Sequence, residues 1–231
     1  MKAQRLRFCF RITAEARGLG QRDLARAWEE AVVAADLPPA HSEGKRSGAL
    51  IQIAAALPQG VTSDGELADV FLEQAVDPGA ALAGVKKRMR PGVEAVSVEE
   101  VGVGGRSLQA LLRWAEYDVR VPSNGLSAED LRRRISALLD ASSVLVEHQR
   151  EKKVRKYDLR PLVLDIRLEG VEDGAFRLAM RLRAEQEMTA RADQTVLALG
   201  LPEPLSVHRR RLYVDDVPAV LRAFRNGGER G

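Results

Sequence analysis

Residues 5–13, Arg-Leu-Arg-Phe-Cys-Phe-Arg-Ile-Thr, alternate polar and apolar side chains, the period-two pattern of a strand with one buried face. Leu6, Phe8, Phe10 and Ile12 fall on that face, so the next element must cover it. It is a helix: Leu24, Ala27, Trp28, Ala31, Val32 and Ala35 recur at three- and four-residue spacing and predict an amphipathic helix over 21–36, stopped by Pro38-Pro39. Leu50–Ala56 and Leu67–Leu72 predict two further strands around the turn-rich Leu57–Gly60 and Thr62–Gly65. Asp77-Pro78 opens a helix that runs to Met89 with Leu82, Val85 and Met89 inward, and Val93, Ala95, Val96 and Val98 belong to a closing strand. Strand, helix, strand, strand, helix, strand is the split βαβ order of a ferredoxin-like module.

Gly102-Val-Gly-Gly105 breaks the composition, and a similar cycle starts after it. Trp114–Val121 alternates as a strand, Pro122–Gly125 turns the chain, and Ser127 with Asp130 is a capping box for a helix with Leu131, Ile135, Leu138 and Leu139 inward and Arg132, Arg133 and Arg134 outward. Val144–Glu147, Pro161–Leu168 and Phe176–Leu182 read as strands, Asp193–Leu199 as a short helix stopped by Gly200 and Pro202, and Val207–Val214 as the last strand. The expected fold is therefore α+β, two ferredoxin-like (split βαβ) modules in tandem over 1–103 and 104–222, with 223–231 as a flexible tail.

Composition permits a real core, at 45% hydrophobic and 30% charged residues, but aromatics are only 4%, which disfavours a platform for stacking bases. The lone cysteine, Cys9, excludes an intramolecular disulfide or a multi-cysteine cluster built by this chain. No run approaches the roughly 20 apolar residues of a membrane span and no signal-peptide core opens the chain, so the expectation is a cytoplasmic protein with no membrane partner. His41, His148 and His208 are far apart and lack partners at metal-ligand spacing, no nucleophile elbow is present, and the glycine pairs lack phosphate-loop context. The expectation is no catalytic site, no metal and no cofactor.

The densest charge cluster, residues 148–160, sets Arg150, Lys152, Lys153, Arg155, Lys156 and Arg160 against Glu151 and Asp158. Such a patch suits phosphate oxygens; a solvated connection has the same look, and both readings stand. Arg209, Arg210 and Arg211 add a second basic run, where alternation sends Arg209 and Arg211 to one face and Arg210 to the other. Arg5, Arg7 and Arg11 lie on the polar face of the first strand, so aligned modules would share one positive surface. Tyr157, beside the cluster, reads as a core cap or as a stacking ring.

Several segments together resemble the radical SAM-linked protein family of bacteria, over residues 5 to about 214. They are Arg5–Phe8, Arg22–Ala31, Ala34–Gly44, Leu57–Asp69, Tyr157–Pro161, Ala190–Leu201 and Val207–Arg209. The resemblance implies an accessory, non-catalytic partner subunit of a radical SAM enzyme, with RNA- or ribosome-related work as the alternative. Ser42, Glu43, Gly44, Lys45 and Arg46 would be the presenting loop, and Asp158, Arg160 and Arg191 polar contacts. The RNA alternative uses Arg150, Lys152, Lys153, Arg155, Lys156, Arg209, Arg210 and Arg211. This chain departs from the family's Ser-His-Leu-Asp before the first helix, where it has Gly20-Gln-Arg-Asp23, and from the Phe-Asn-Pro that follows its Ser-x-Gly, where it has Lys45-Arg-Ser.

Overall fold

The computed structural model describes residues 2–41, 48–150 and 153–215, with backbone alone at 148–150 and 153–155. The strands are β1 (Gln4–Ile12), β2 (Ile51–Ile53), β3 (Thr62–Leu72), β4 (Val93–Val101), β5 (Leu112–Pro122), β6 (Leu145–Arg150), β7 (Lys153–Asp158), β8 (Val163–Glu172), β9 (Ala175–Arg183) and β10 (Ser206–Val214). The helices are α1 (Gln21–Ala34), α2 (Pro78–Arg88), α3 (Leu108–Leu111), α4 (Ala128–Asp140) and α5 (Ala192–Ala198). The fold is α+β, as the periodicities require, and none of the described helices is long and apolar enough to cross a membrane.

The main sheet runs β4-β1-β3-β10-β5-β9-β8, with β2 also on β3. In the first half β4, β1, β3 and β2 are successive antiparallel neighbours; in the second β10, β5, β9 and β8 are. The halves therefore repeat one element order with equivalent neighbours, apart from the β6–β7 ribbon inserted between α4 and β8 and paired only with itself. The two sheets are fused into one where β10 joins β3 in parallel, His208 opposite Thr62 and Arg209 opposite Ser63. Thr62–Gly65, read from sequence as a turn, is consequently the start of β3, because a strand from the far end of the chain supplies its ladder.

Each half buries its own apolar cluster on the same side of the sheet. Leu6, Phe8, Phe10 and Ile12 pack on Leu24, Trp28, Ala31 and Val32 of α1 and on Ala81 and Val85 of α2. Phe8 and Phe10 hold the Trp28 ring at centroid distances of 5.3 and 5.1 Å, tilted and edge-on. In the second half Ala115, Tyr117, Val119 and Val121 meet Leu178, Met180 and Leu182 across β9 and are covered by Leu131, Ile135 and Leu138 of α4 and Val196 of α5.

Local chemistry explains the helix starts. Ser127 Oγ accepts from the Asp130 backbone N–H at 3.0 Å and donates to its carboxylate at 2.6 Å, the expected cap of α4. At α1 the cap position is Gly20, whose own N–H donates to Asp23 at 3.1 Å. The seam demands Gly65: a Cβ there would sit 2.7 Å from the Arg210 carbonyl oxygen and 2.8 Å from Arg211 Cα, so only glycine lets β10 lie this close.

Candidate nucleic-acid interface

Sorting the arginines by whether a carboxylate already holds them decides where positive charge is available. Arg5 and Arg7 project from β1 on the face opposite α1, next to Asp69 on β3. Arg5 Nε donates to Asp69 Oδ2 at 2.8 Å and Arg7 Nε to Asp69 Oδ1 at 2.8 Å, and all three side chains are buried. Arg5 also donates to the Arg106 carbonyl, which ties down the 102–106 connection. Arg11 is exposed but lies 3.8 Å from Asp64 and 3.6 Å from Glu94. The continuous positive surface expected from β1 is thus absent, because β3 and β4 supply the neutralising carboxylates.

The 209–211 run is divided by a β-bulge. The β5 register steps from Arg209 opposite Tyr117 to Arg211 opposite Glu116, leaving Arg210 as the extra residue. Arg209 therefore points to the covered side, where it donates to Glu66 from Nε at 2.7 Å and from Nη2 at 2.5 Å and reaches the Ala56 carbonyl at 3.2 Å. Burial opposes its charge, but the Glu66 carboxylate more than offsets this and the guanidinium pKa is raised. Arg210 and Arg211 instead reach the open face, reversing the alternation expected for 209 and 211. Arg210 sits 3.6 Å from Asp118, and Arg211 lies over the Tyr213 ring at 5.4 Å. Arg209 is in consequence a buried clasp between the halves and offers no charge to a surface ligand.

The ribbon keeps a different balance. Its register sets Arg150 opposite Lys153, His148 opposite Arg155 and Glu147 opposite Lys156, concentrating basic residues toward its tip. Lys156 is exposed and pairs with Glu147 at 2.5 Å. Lys152 lies outside the described residues, as do Ser42, Glu43, Gly44, Lys45 and Arg46 and the tail 223–231. Asp158 and Arg160 secure the root of the ribbon. Asp158 Oδ1 accepts from the backbone N–H groups of Val144 at 2.8 Å and Arg160 at 3.0 Å; Arg160 donates to the carbonyls of Leu139 and Val163, each at 2.8 Å. The Val144 N–H, aided by that of Arg160, holds the Asp158 carboxyl below the usual carboxylate range against a desolvation penalty. Both side chains are occupied by local backbone.

On the covered side a cleft of about 640 Å³ opens between the halves, with Arg209 and Tyr117 among its lining residues. Arg191 lines it too, whereas Asp158 and Arg160 do not. Arg191 instead grips Asp193 through Nε at 3.0 Å and Nη2 at 2.8 Å. Burial works against the Asp193 charge, yet these bonds hold its pKa below the usual range. The cleft includes Ala54, Ala55 and Ala56, Gln59, Gln109 and Leu205, none of them a sequence candidate. They were invisible because the cleft exists only where β10 meets β3.

The open face carries a second feature missed from sequence. Trp114 stacks on Tyr213 at 5.1 Å and 20°, Tyr213 donates to Glu116 at 2.9 Å, and the solvent-shielded Trp114 Nε1–H has no hydrogen-bond partner among the described residues. Alternation already placed Trp114 and Glu116 together, so their shared face was legible; the stack needed β10. No group of three or more metal-ligating side chains occurs among the described residues.

Several solved structures align with most of the chain. The Cbf5–Nop10–Gar1 complex aligns at a TM-score of 0.46 and 13% identity over 89% of this chain and 49% of that one. The archaeal box H/ACA sRNP Nop10–Cbf5 complex does so at 0.44 and 10% over 87% and 46%. An H/ACA RNP bound to a substrate RNA containing 2′-deoxyuridine gives 0.44 and 12% over 87% and 46%. The chain thus spans about half the length of the chains it matches. No curated protein matches it. A family model described as an uncharacterized protein conserved in bacteria, DUF2344, matches residues 5–196, and the chain belongs to that family.

Proposed function

We propose that the protein is a binding module that holds RNA by its phosphodiester backbone, with the β6–β7 ribbon as the gripping element. The observation that carries this reading is the contrast between the ribbon and the sheet. Arg5 and Arg7 share the buried Asp69 carboxylate and Arg209 holds the buried Glu66, whereas Arg150, Lys153 and Arg155 lie on a ribbon, residues 145–158, that carries five basic residues against three acidic ones. Guanidinium and ammonium groups at a ribbon tip release condensed counterions when they meet phosphates, so binding should depend steeply on salt and little on sequence. Fluorescence anisotropy with a labelled single-stranded RNA over a salt series tests it. The logarithm of affinity should fall with that of salt, with a slope of about 0.7 per phosphate contacted. Absence of binding at low salt sinks the reading.

A second reading, a partner subunit of a radical SAM enzyme, is supported by the family resemblance and by the Trp114–Tyr213–Arg211 stack, since aromatic and arginine side chains dominate protein-interface hot spots. It expects a radical SAM protein to copurify from the native host and to be lost with Trp114→Ala; copurification indifferent to that change removes the open face as the contact.

A further inference from the structure

We infer that the cleft between the two halves receives one unstacked nucleobase of the strand held by the ribbon; this rests on the RNA-binding reading. Four observations point there. First, about 640 Å³ is within the roughly 300–1,000 Å³ range of small-molecule clefts and leaves room for a whole nucleotide. Second, the lining cations are already spent: Arg209 is cancelled by Glu66 and Arg191 by Asp193. A site without net charge suits a neutral planar group with an apolar body and polar edge better than a free phosphate.

Third, the polar groups are preset. Gln59 donates Nε2–H to the Gly18 carbonyl at 3.3 Å and Gln109 to that of Ile53 at 2.6 Å, which orients both lining amides and leaves the acceptor capacity of each Oε1 unused by those bonds. Leu205, 60% exposed, adds an apolar surface on which a ring can lie. Fourth, ribbon and cleft are neighbours. Arg191 lines the cleft and lies within electrostatic reach of Tyr157 at the ribbon root, and α5 packs against β6. A strand anchored along the ribbon would run past the cleft, and single-stranded RNA is read by splaying out its bases. Unstacking costs a few kcal/mol, which contacts in the cleft must offset.

The test uses the full chain and a set of short RNAs, each carrying 2-aminopurine at a different position, read by 2-aminopurine emission and by anisotropy of an end label. Emission from one position should rise severalfold on binding as its base leaves its neighbours. Ala56→Trp, at an exposed position lining the cleft, should abolish that rise while leaving the salt slope in place. Lys153→Ala should weaken binding of every RNA in the set alike. RNA binding with no emission change at any position, or a rise that survives Ala56→Trp, overturns the inference and leaves the ribbon reading intact. A saturable response to free 2-aminopurine riboside with none from the RNAs assigns the cleft to a free nucleoside and also overturns it. Absence of RNA binding at low salt overturns both.

Discussion

The two halves place the connection between their first helix and second strand at the same topological position and use it differently. In the first half, between α1 and β2, the described residues include Pro39, which bridges to Leu72 of β3, and His41, which bridges to Ala49. In the second, between α4 and β8, it extends as the β6–β7 ribbon, off the main sheet. Their charges diverge in parallel. The first half seals Arg5 and Arg7 onto one carboxylate, whereas the ribbon has more cations than acids. An arginine of the sheet is therefore structural where a neighbouring strand brings a carboxylate into reach.

The strongest way to break this contrast is Asp69→Ala, which leaves two buried guanidinium groups without their counter-charge. Loss of one partner from a buried pair costs about 3–5 kcal/mol, so urea unfolding should show a midpoint far below wild type; a shift of less than about 1 kcal/mol, the scale of an exposed pair, would mean that solvent reaches Arg5 and Arg7. On the ribbon side, replacing Arg150, Lys153, Arg155 and Lys156 together by Ala should leave the unfolding midpoint within about 0.5 kcal/mol, as for ordinary surface changes. RNA affinity near 0.1 M salt should meanwhile fall on the order of 10–100-fold with a shallower salt slope. A large stability loss in that variant would erase the distinction.

Helix caps sharpen the comparison at lower amplitude. Ser127→Ala removes the acceptor that holds the Asp130 N–H and should cost about 1 kcal/mol, seen by thermal melting. Gly20→Ser, at backbone φ −80°, should gain a few tenths of a kcal/mol at α1, since serine supplies the oxygen that glycine lacks. The smallest effect is acid sensitivity at the ribbon root. The folded Asp158 pKa lies below the unfolded value of 3.8, so its stabilisation is fully present above that value and is lost as pH falls through the lower folded one. Amide exchange of Val144 should accelerate over that window in wild type and lose the pH dependence in Asp158→Asn.

Much of the fold was legible because it follows from local periods and caps. Leu6, Phe8, Phe10 and Ile12, the Trp28 face of α1, the Ser127 cap and the β9 alternation all lie where the sequence pattern puts them. Thr62–Gly65 did not, since the Gly-containing stretch has the composition of a turn and becomes a strand through pairing with residues 146 positions away. Arg211 went astray for a related reason: the bulge at Arg210 shifts the β10 register by one, and a one-residue slip moves a side chain to the opposite face. The ribbon's charge was visible in sequence; the cleft, assembled from β10, the segment after β2 and the approach to α5, was not.

Amino-acid order alone determined the element types and their succession, the apolar face of each strand and helix, and the excess of basic residues at 148–160, because these depend on spacings of a few residues. Tertiary structure decided which arginines are paired with buried carboxylates, that two sheets become one, and that a cleft lies between them. Those outcomes depend on carboxylates and strand edges brought together from distant parts of the chain, and Coulomb attraction and backbone pairing act on distance in space.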